Sequence, residues 1–183
     1  SMPFTTLKRE KQYQAHVFDV AKIFVRLPDG RERSYDLVEH GDSVTILPID
    51  SEGNIYFVTQ HRVGANGDLL ELPAGVINEN EEPIKCAQRE LREEIGMDAH
   101  KIQPLGNFFL APGYTDEYMY VFLASGLFSA PLAPDDDEFL DVVKIPTTEV
   151  LRKAFAGEFQ DGKTLAALLL ALPVINGNAD LEA

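Results

Sequence analysis

The 183-residue sequence predicts an α+β domain, a mixed sheet layered between helices as an α/β/α sandwich, with a β-hairpin extension at the N-terminus. Three observations carry this expectation. Alternation of apolar and polar residues marks the first part of the chain, helical periodicity falls in the middle and at the end, and turn dipeptides separate the strands. Composition agrees, because 45% apolar and 25% charged residues is the make-up of a folded domain with its own core.

The stretch Ala15–His40 alternates on both sides of Asp29-Gly30, a dipeptide suited to a hairpin turn. Strands follow at Ser43–Asp50 and Asn54–Arg62, and Leu69–Val76 reads as a short strand running into a loop. Pro83–Gly96 is a helix: Glu82 stands at its N-cap, Pro83 fits the first helical position, where no N–H is needed, and Gly96 fits the C-terminal cap. Strands Ile102–Gly113 and Glu117–Leu127 precede an acidic, proline-rich loop, Ala130–Phe139. Strand Leu140–Pro146 and helices Thr147–Gly157 and Gly162–Leu172 complete the order, and the tail Asn176–Ala183 is expected to fray. The expected domains are therefore a β extension over 1–42, a main domain over 43–175 and a flexible tail over 176–183.

No apolar run reaches the roughly 20 residues of a membrane span. The N-terminus lacks a signal-peptide layout, and Ser1-Met2 reads as a cloning scar. One cysteine, Cys86, leaves no intramolecular disulfide and fits a reducing cytoplasm. A net charge of −14 argues against nucleic-acid or anionic-membrane partners. An anionic substrate would then need positive charge from another source, and a divalent metal held by carboxylates supplies it.

Six glutamates lie between Gly75 and Met97. At about 100° per residue, Ile84, Ala87, Leu91 and Ile95 form a core-facing stripe, with Cys86 a small filler off its centre. Glu90 and Glu94, at i and i+4, stack beside that stripe, and Glu93 lies toward solvent within reach of Arg89 and Glu90. Stacked carboxylates repel unless a hard cation joins them, as Mg²⁺ does through oxygen ligands. A solvated acidic face paired with Lys85, Arg89 and Arg92 accounts for the same spacing. Composition and spacing leave both readings open.

The order of residues adds more. Gly75, five residues, Glu81, seven residues, then Arg89-Glu90-Leu91-Arg92-Glu93-Glu94-Ile95-Gly96-Met97 resembles the Nudix box, the signature of hydrolases acting on nucleoside diphosphates linked to another moiety. The resemblance implies a loop–helix–loop in which Glu90 and Glu94 bind Mg²⁺ or Mn²⁺, two or more ions per site. Glu93 would be a further ligand or would hold metal-bound water, and the Ala74 carbonyl would be another ligand. Arg89 would orient the glutamates, Glu81 would brace the loop, and Gly75 and Gly96 would serve backbone turns through glycine's freedom at positive φ. In that family metals neutralise a pyrophosphate and activate a water, and a carboxylate takes its proton.

Gln60-His61-Arg62, Leu70-Glu71-Leu72-Pro73-Ala74-Gly75 and Pro112-Gly113-Tyr114-Thr115-Asp116 are similar to the ADP-ribose pyrophosphatase branch of this family, and the likeness covers about residues 17–172. It implies a nucleoside diphosphate sugar substrate, ADP-ribose first, with GDP-mannose or a broad range as the alternative. A non-catalytic nucleotide-binding module is the remote one. Arg62 would contact the pyrophosphate or terminal sugar phosphate, Glu71 would lie near the metals, and Gly113 and Tyr114 would meet substrate. The base would be Glu138 in the acidic loop, with Asp137 its competitor and Glu93 its rival. The N-terminal extension would build a homodimer. Gly41-Asp42 departs from the branch's usual residues after the histidine.

Overall fold

The computed structural model describes residues 3–133 and 140–175; among them are ten β-strands and three α-helices, divided between two units. The first unit comprises Ser1–Asp42 and Phe109–Tyr118, the second Ser43–Phe108 and Met119–Ala183.

In the first unit, β1 (Thr5–Gln14), β2 (Phe18–Arg26) and β3 (Glu32–His40) form an antiparallel sheet in that order. The expected hairpin is present: Gly30 adopts φ +87° and donates to the Leu27 carbonyl at 2.9 Å, closing the turn between β2 and β3. β1 lay outside the expected elements. Its sequence, TTLKREKQYQ, has no apolar alternation because all but one of its residues are exposed, and period-two patterning arises only where one face is buried. The 109–118 segment is tied to β3, where Val38 N–H donates to the Tyr114 carbonyl and His40 N–H to Asp116 Oδ1, both at 2.8 Å.

The second unit holds a mixed sheet in the order β10 (Asp141–Pro146), β5 (Asn54–Arg62), β4 (Ser43–Ile49), β9 (Tyr118–Ser129), β8 (Met97–Phe109), with β6 (Gly67–Glu71) on β5 and β7 (Ala74–Val76) on β4. β4 runs parallel to β9 and antiparallel to β7. It is buried from Ser43 to Pro48, as a strand covered on both faces must be. Val44 and Ile46 join Val58, Phe122 and Ala124 under α1 (Pro83–Glu94). Alternate side chains point the other way, so that Phe57 stacks on Phe159, with ring centroids 5.4 Å apart, ahead of α3 (Gly162–Ile175). α3 packs on β4, and α2 (Thr147–Phe155) packs on β10 and β5. The layered α+β architecture matches the expectation.

Several boundaries moved, and the single strand expected over Leu69–Val76 is two, β6 and β7. β8 begins directly after Gly96 and ends at Phe109, and α3 continues through Pro173, where only one helical N–H is lost. The face of α1 also differs from the stripe read in the sequence. Ile84 is 43% exposed and Cys86 is fully buried. On a helical wheel of about 100° per residue the buried arc, Cys86, Glu90, Glu94, Ala87, Leu91 and Ile95, is centred near Ala87 and Glu94. Glu94 therefore stands at the middle of the buried arc and Glu90 between it and Cys86, while Ile84 falls near the opposite edge in the first turn.

Candidate active site

The helix that carries the glutamates is set by its ends. Glu82 is the N-cap, with extended φ −72°, ψ 141° and no side-chain capping bond, and Pro83 follows at the first position. Gly96, past the C-terminus, takes φ +69°, a left-handed conformation that favours glycine. Beyond it, Arg92 Nε donates to the Ala130 carbonyl at 2.9 Å, anchoring the last turn.

Opposite α1 runs the segment from Glu71 to Val76, pinned residue by residue. Leu72 N–H donates to Thr164 Oγ1 at 2.9 Å, the Pro73 carbonyl accepts Ile46 N–H at 2.9 Å and Thr45 Oγ1 at 3.1 Å, and Ala74 N–H donates to Glu94 Oε2 at 3.0 Å. The atom of Ala74 that meets the glutamate is thus its amide. Gly75 lies against Glu90: a β-carbon added there would sit 1.9 Å from Glu90 Oε1 and 2.1 Å from its Cδ. Expectation placed Gly75 at a positive-φ turn. The observed reason is space, because Gly75 is absent from the positive-φ residues and belongs to β7.

Glu90 and Glu94 are each 6% exposed. Arg89 organises the carboxylates around them. Its Nη1 donates to Glu90 Oε1 at 2.6 Å and Glu93 Oε2 at 2.9 Å, its Nε to Glu81 Oε1 at 2.9 Å, and its Nη2 to Glu81 Oε2 at 3.0 Å and the Val76 carbonyl at 3.1 Å. The Glu81 bond chiefly raises the guanidinium's pKa, against burial, and Glu90 and Glu93 add to it. The Arg89 bond likewise lowers the pKa of Glu81, which also accepts Asn78 N–H at 2.9 Å and so fixes the loop before the helix. Burial pushes the Cys86 thiol up.

A second cluster lies at the end of β6. Glu71, 1% exposed, accepts Arg62 Nε at 2.8 Å, Arg62 Nη2 at 2.7 Å and Lys163 Nζ at 2.5 Å. Burial raises its pKa, and the hydrogen bonds and charges of Arg62 and Lys163 outweigh that, leaving it below its ordinary value. Hydrogen bonding to Glu71 raises the pKa of Arg62 against burial, with Asp161 and Glu94 contributing charge. Lys163, Asp161 and Thr164 escaped sequence reasoning. Their one signal was the polar Asp161-Gly162-Lys163-Thr164 start of an otherwise apolar helix.

The structure brings Ala74, Gly75, Glu81, Arg89, Glu90, Glu93 and Glu94 together through the contacts above, and Arg62 with Glu71 beside them. Gly113 and Tyr114 belong to the first unit, with Tyr114 61% exposed. Glu138 and Asp137 lie outside the described residues. Among the described residues no three His, Cys, Asp or Glu side chains converge as a ready-made metal cage. The donor set nonetheless fits a hard divalent ion: two nearly buried carboxylates on one helix face supply oxygen ligands, and Mg²⁺ characteristically takes one or two carboxylates and completes its shell with water and substrate phosphate.

A mixed sheet between helices, with a buried glutamate pair set against a glycine-bearing strand, offers the oxygen donors that a hard cation takes. Residues 39–168 match the NUDIX domain. A protein of Bacillus subtilis strain 168 named ADP-ribose pyrophosphatase is 33% identical over 170 residues, 92% of each chain. One of Yersinia pestis strain Pestoides F, named GDP-mannose pyrophosphatase, is 30% identical over 146 residues, 74% of this chain and 73% of its own. A solved structure described as an ADP compounds hydrolase superposes with a TM-score of 0.84 at 24% identity, covering 98% of both chains, and confirms the fold. The chain belongs to the Nudix family and is a hydrolase of phosphoric anhydrides. Members of that family generally need a divalent metal such as Mg²⁺.

Proposed function

We propose that the protein cleaves the pyrophosphate of nucleoside diphosphate sugars, ADP-ribose in preference to GDP-mannose, to a nucleoside monophosphate and a sugar phosphate. The observation that carries this reading is the buried Glu90–Glu94 pair against Ala74 and Gly75, in a chain that aligns over 92% of its length with a protein named ADP-ribose pyrophosphatase. The GDP-mannose alternative rests on the Yersinia relative's name.

Glu90 and Glu94 would hold Mg²⁺, or Mn²⁺, two or more ions per site. When bound, the metal neutralises phosphate oxygens and lowers the pKa of the attacking water. The chain's own part is placement. Arg89 keeps Glu90 and Glu93 in register, the Ala74 N–H fixes one oxygen of Glu94, and Arg62 offers a guanidinium to a phosphate. Proton acceptance falls to Glu138 or Glu93. The ion pair of Glu93 with Arg89 favours a positioning part for Glu93 and leaves Glu138 the first choice.

Incubation with Mg²⁺ and a panel of nucleotide sugars tests the reading. Turnover of ADP-ribose with the highest kcat/KM is expected, abolished by chelation and restored by Mg²⁺. Glu94→Gln should lower kcat by about two to four orders of magnitude while the fold persists. No turnover of any compound in the panel ends the reading, and comparing Glu93→Gln with Glu138→Gln identifies the base. The same reading takes residues 1–42 as a dimerisation extension. Exposed Phe4, Leu7, Tyr13, Val17, Phe18 and Tyr35 support it, and a monomer in sedimentation would remove it. The single buried cysteine supports action in the cytoplasm.

A further inference from the structure

Arg62 and Lys163 share one carboxylate, and the two cations are held very differently. Lys163 is 12% exposed and donates to both Glu71 Oε2 and Asp161 Oδ1, at 2.5 and 2.9 Å. It sits in the first turn of α3, which is locked to the sheet. Asp161 Oδ2 caps that turn by accepting Thr164 N–H at 3.1 Å and Thr164 Oγ1 at 2.5 Å, and Thr164 Oγ1 accepts Leu72 N–H, next to Glu71 itself. Just upstream, Phe159 stacks on Phe57. Arg62 closes the end of β5, donates to Glu71 through Nε and Nη2 and keeps 41% of its side chain exposed. Lys163 is fixed; Arg62 can reach an incoming ligand.

An arginine whose partner is a buried carboxylate is hard to draw onto an anion, because moving it strands the carboxylate in a poorly solvating site. A second cation on that carboxylate removes the obstacle. We propose that Lys163 is a positioning residue for phosphate binding: by holding the charge of Glu71, it lets Arg62 lend its guanidinium to the substrate's diphosphate. The inference rests on the reading of Arg62 as a phosphate contact. It places the effect of Lys163 on substrate affinity, since the glutamates assigned to holding the metal lie on α1 and none of them belongs to this cluster.

Steady-state kinetics of the full chain with ADP-ribose and Mg²⁺ tests it. Lys163→Met is expected to raise KM about tenfold with kcat within about threefold of wild type, and Lys163→Arg, which keeps the charge, to return KM most of the way. In a Glu71→Gln background there is no buried charge to hold, so adding Lys163→Met should leave KM where Glu71→Gln alone puts it. An unchanged KM in Lys163→Met overturns the proposal. So does a KM that rises equally in the Glu71→Gln background, which would mean that Lys163 touches substrate itself, or a loss confined to kcat and thermal stability. If Lys163→Met fails to fold, Lys163→Gln takes its place with the same readouts. A wild type idle on ADP-ribose yet active on another nucleoside diphosphate defeats the substrate reading alone, and the same series is then run on that compound. A wild type that cleaves no diphosphate defeats both.

Discussion

At the residue scale, the closest constraint is the contact between Gly75 and Glu90. The glycine is required by the carboxylate above it and not by its own backbone angles, since any β-carbon would overlap Glu90 Oε1. That carboxylate is also gripped by Arg89 at 2.6 Å, so it has little room to retreat. Gly75→Ala should therefore leave the fold nearly intact, because β7 is only three residues long, while displacing Glu90. Misplacement by about 1 Å is enough to cost up to about a hundredfold in rate. We expect kcat on ADP-ribose to drop at least about tenfold with an unchanged circular dichroism spectrum. Undiminished turnover would show that the position of Glu90 is unimportant to the chemistry.

At the element scale, α1 shows what the sequence makes legible and what it hides. Its existence, its caps and the crowding of its glutamates were readable from local signals: Pro83, Gly96 and i,i+4 spacing. Its rotation was not. An apolar stripe centred on Leu91 is the natural reading when carboxylates are assumed to face water, yet Glu90 and Glu94 lie inside the buried arc, Cys86 bounds it on their side, and Ile84 stands exposed near the opposite edge. Strand β2 and the buried strand β4 were visible because one or both of their faces bury apolar side chains, whereas β1 buries neither and left no pattern. Lys163 was illegible for a different reason: its partner Glu71 is 92 residues away, and no local periodicity encodes such a pairing. The rotation of α1 has a measurable consequence. Leu91→Ala removes a fully buried side chain and should cost about 2–5 kcal/mol in urea unfolding, whereas Ile84→Ser, at an exposed site, should stay within about 0.5–1 kcal/mol. Equal costs for the two would restore the stripe centred further toward Ile84.

At the scale of the whole molecule, acidity acts in two opposed ways. With a net charge of −14 and a pI near 4.6, the chain repels itself at neutral pH, and acidification toward the pI relieves that repulsion. The relief is modest, because surface charges further apart than about 8 Å are largely screened at physiological salt. Against it stand carboxylates whose ionised form the fold stabilises. Asp50 is pushed up by burial but pulled down to about 2 by bonds from Asn54, Lys144 and Glu52; Glu71 is lowered by Arg62 and Lys163, and Glu81 by Arg89. A depressed carboxylate contributes stability that is complete above its unfolded value, 3.8 for Asp and 4.5 for Glu, and is lost as pH falls through the folded value. The two effects therefore act in different windows. Between pH 7 and about 5 only charge relief operates, so Tm should hold or rise slightly; below about 4.5 the paired carboxylates take up protons and Tm should fall steeply toward pH 3. Thermal melts across that range at fixed salt decide the matter, run dilute because solubility is lowest near the pI. A Tm still climbing at pH 3.5 would mean that self-repulsion outweighs the ion pairs of Glu71, Glu81 and Asp50, and that their burial contributes little to holding the site together.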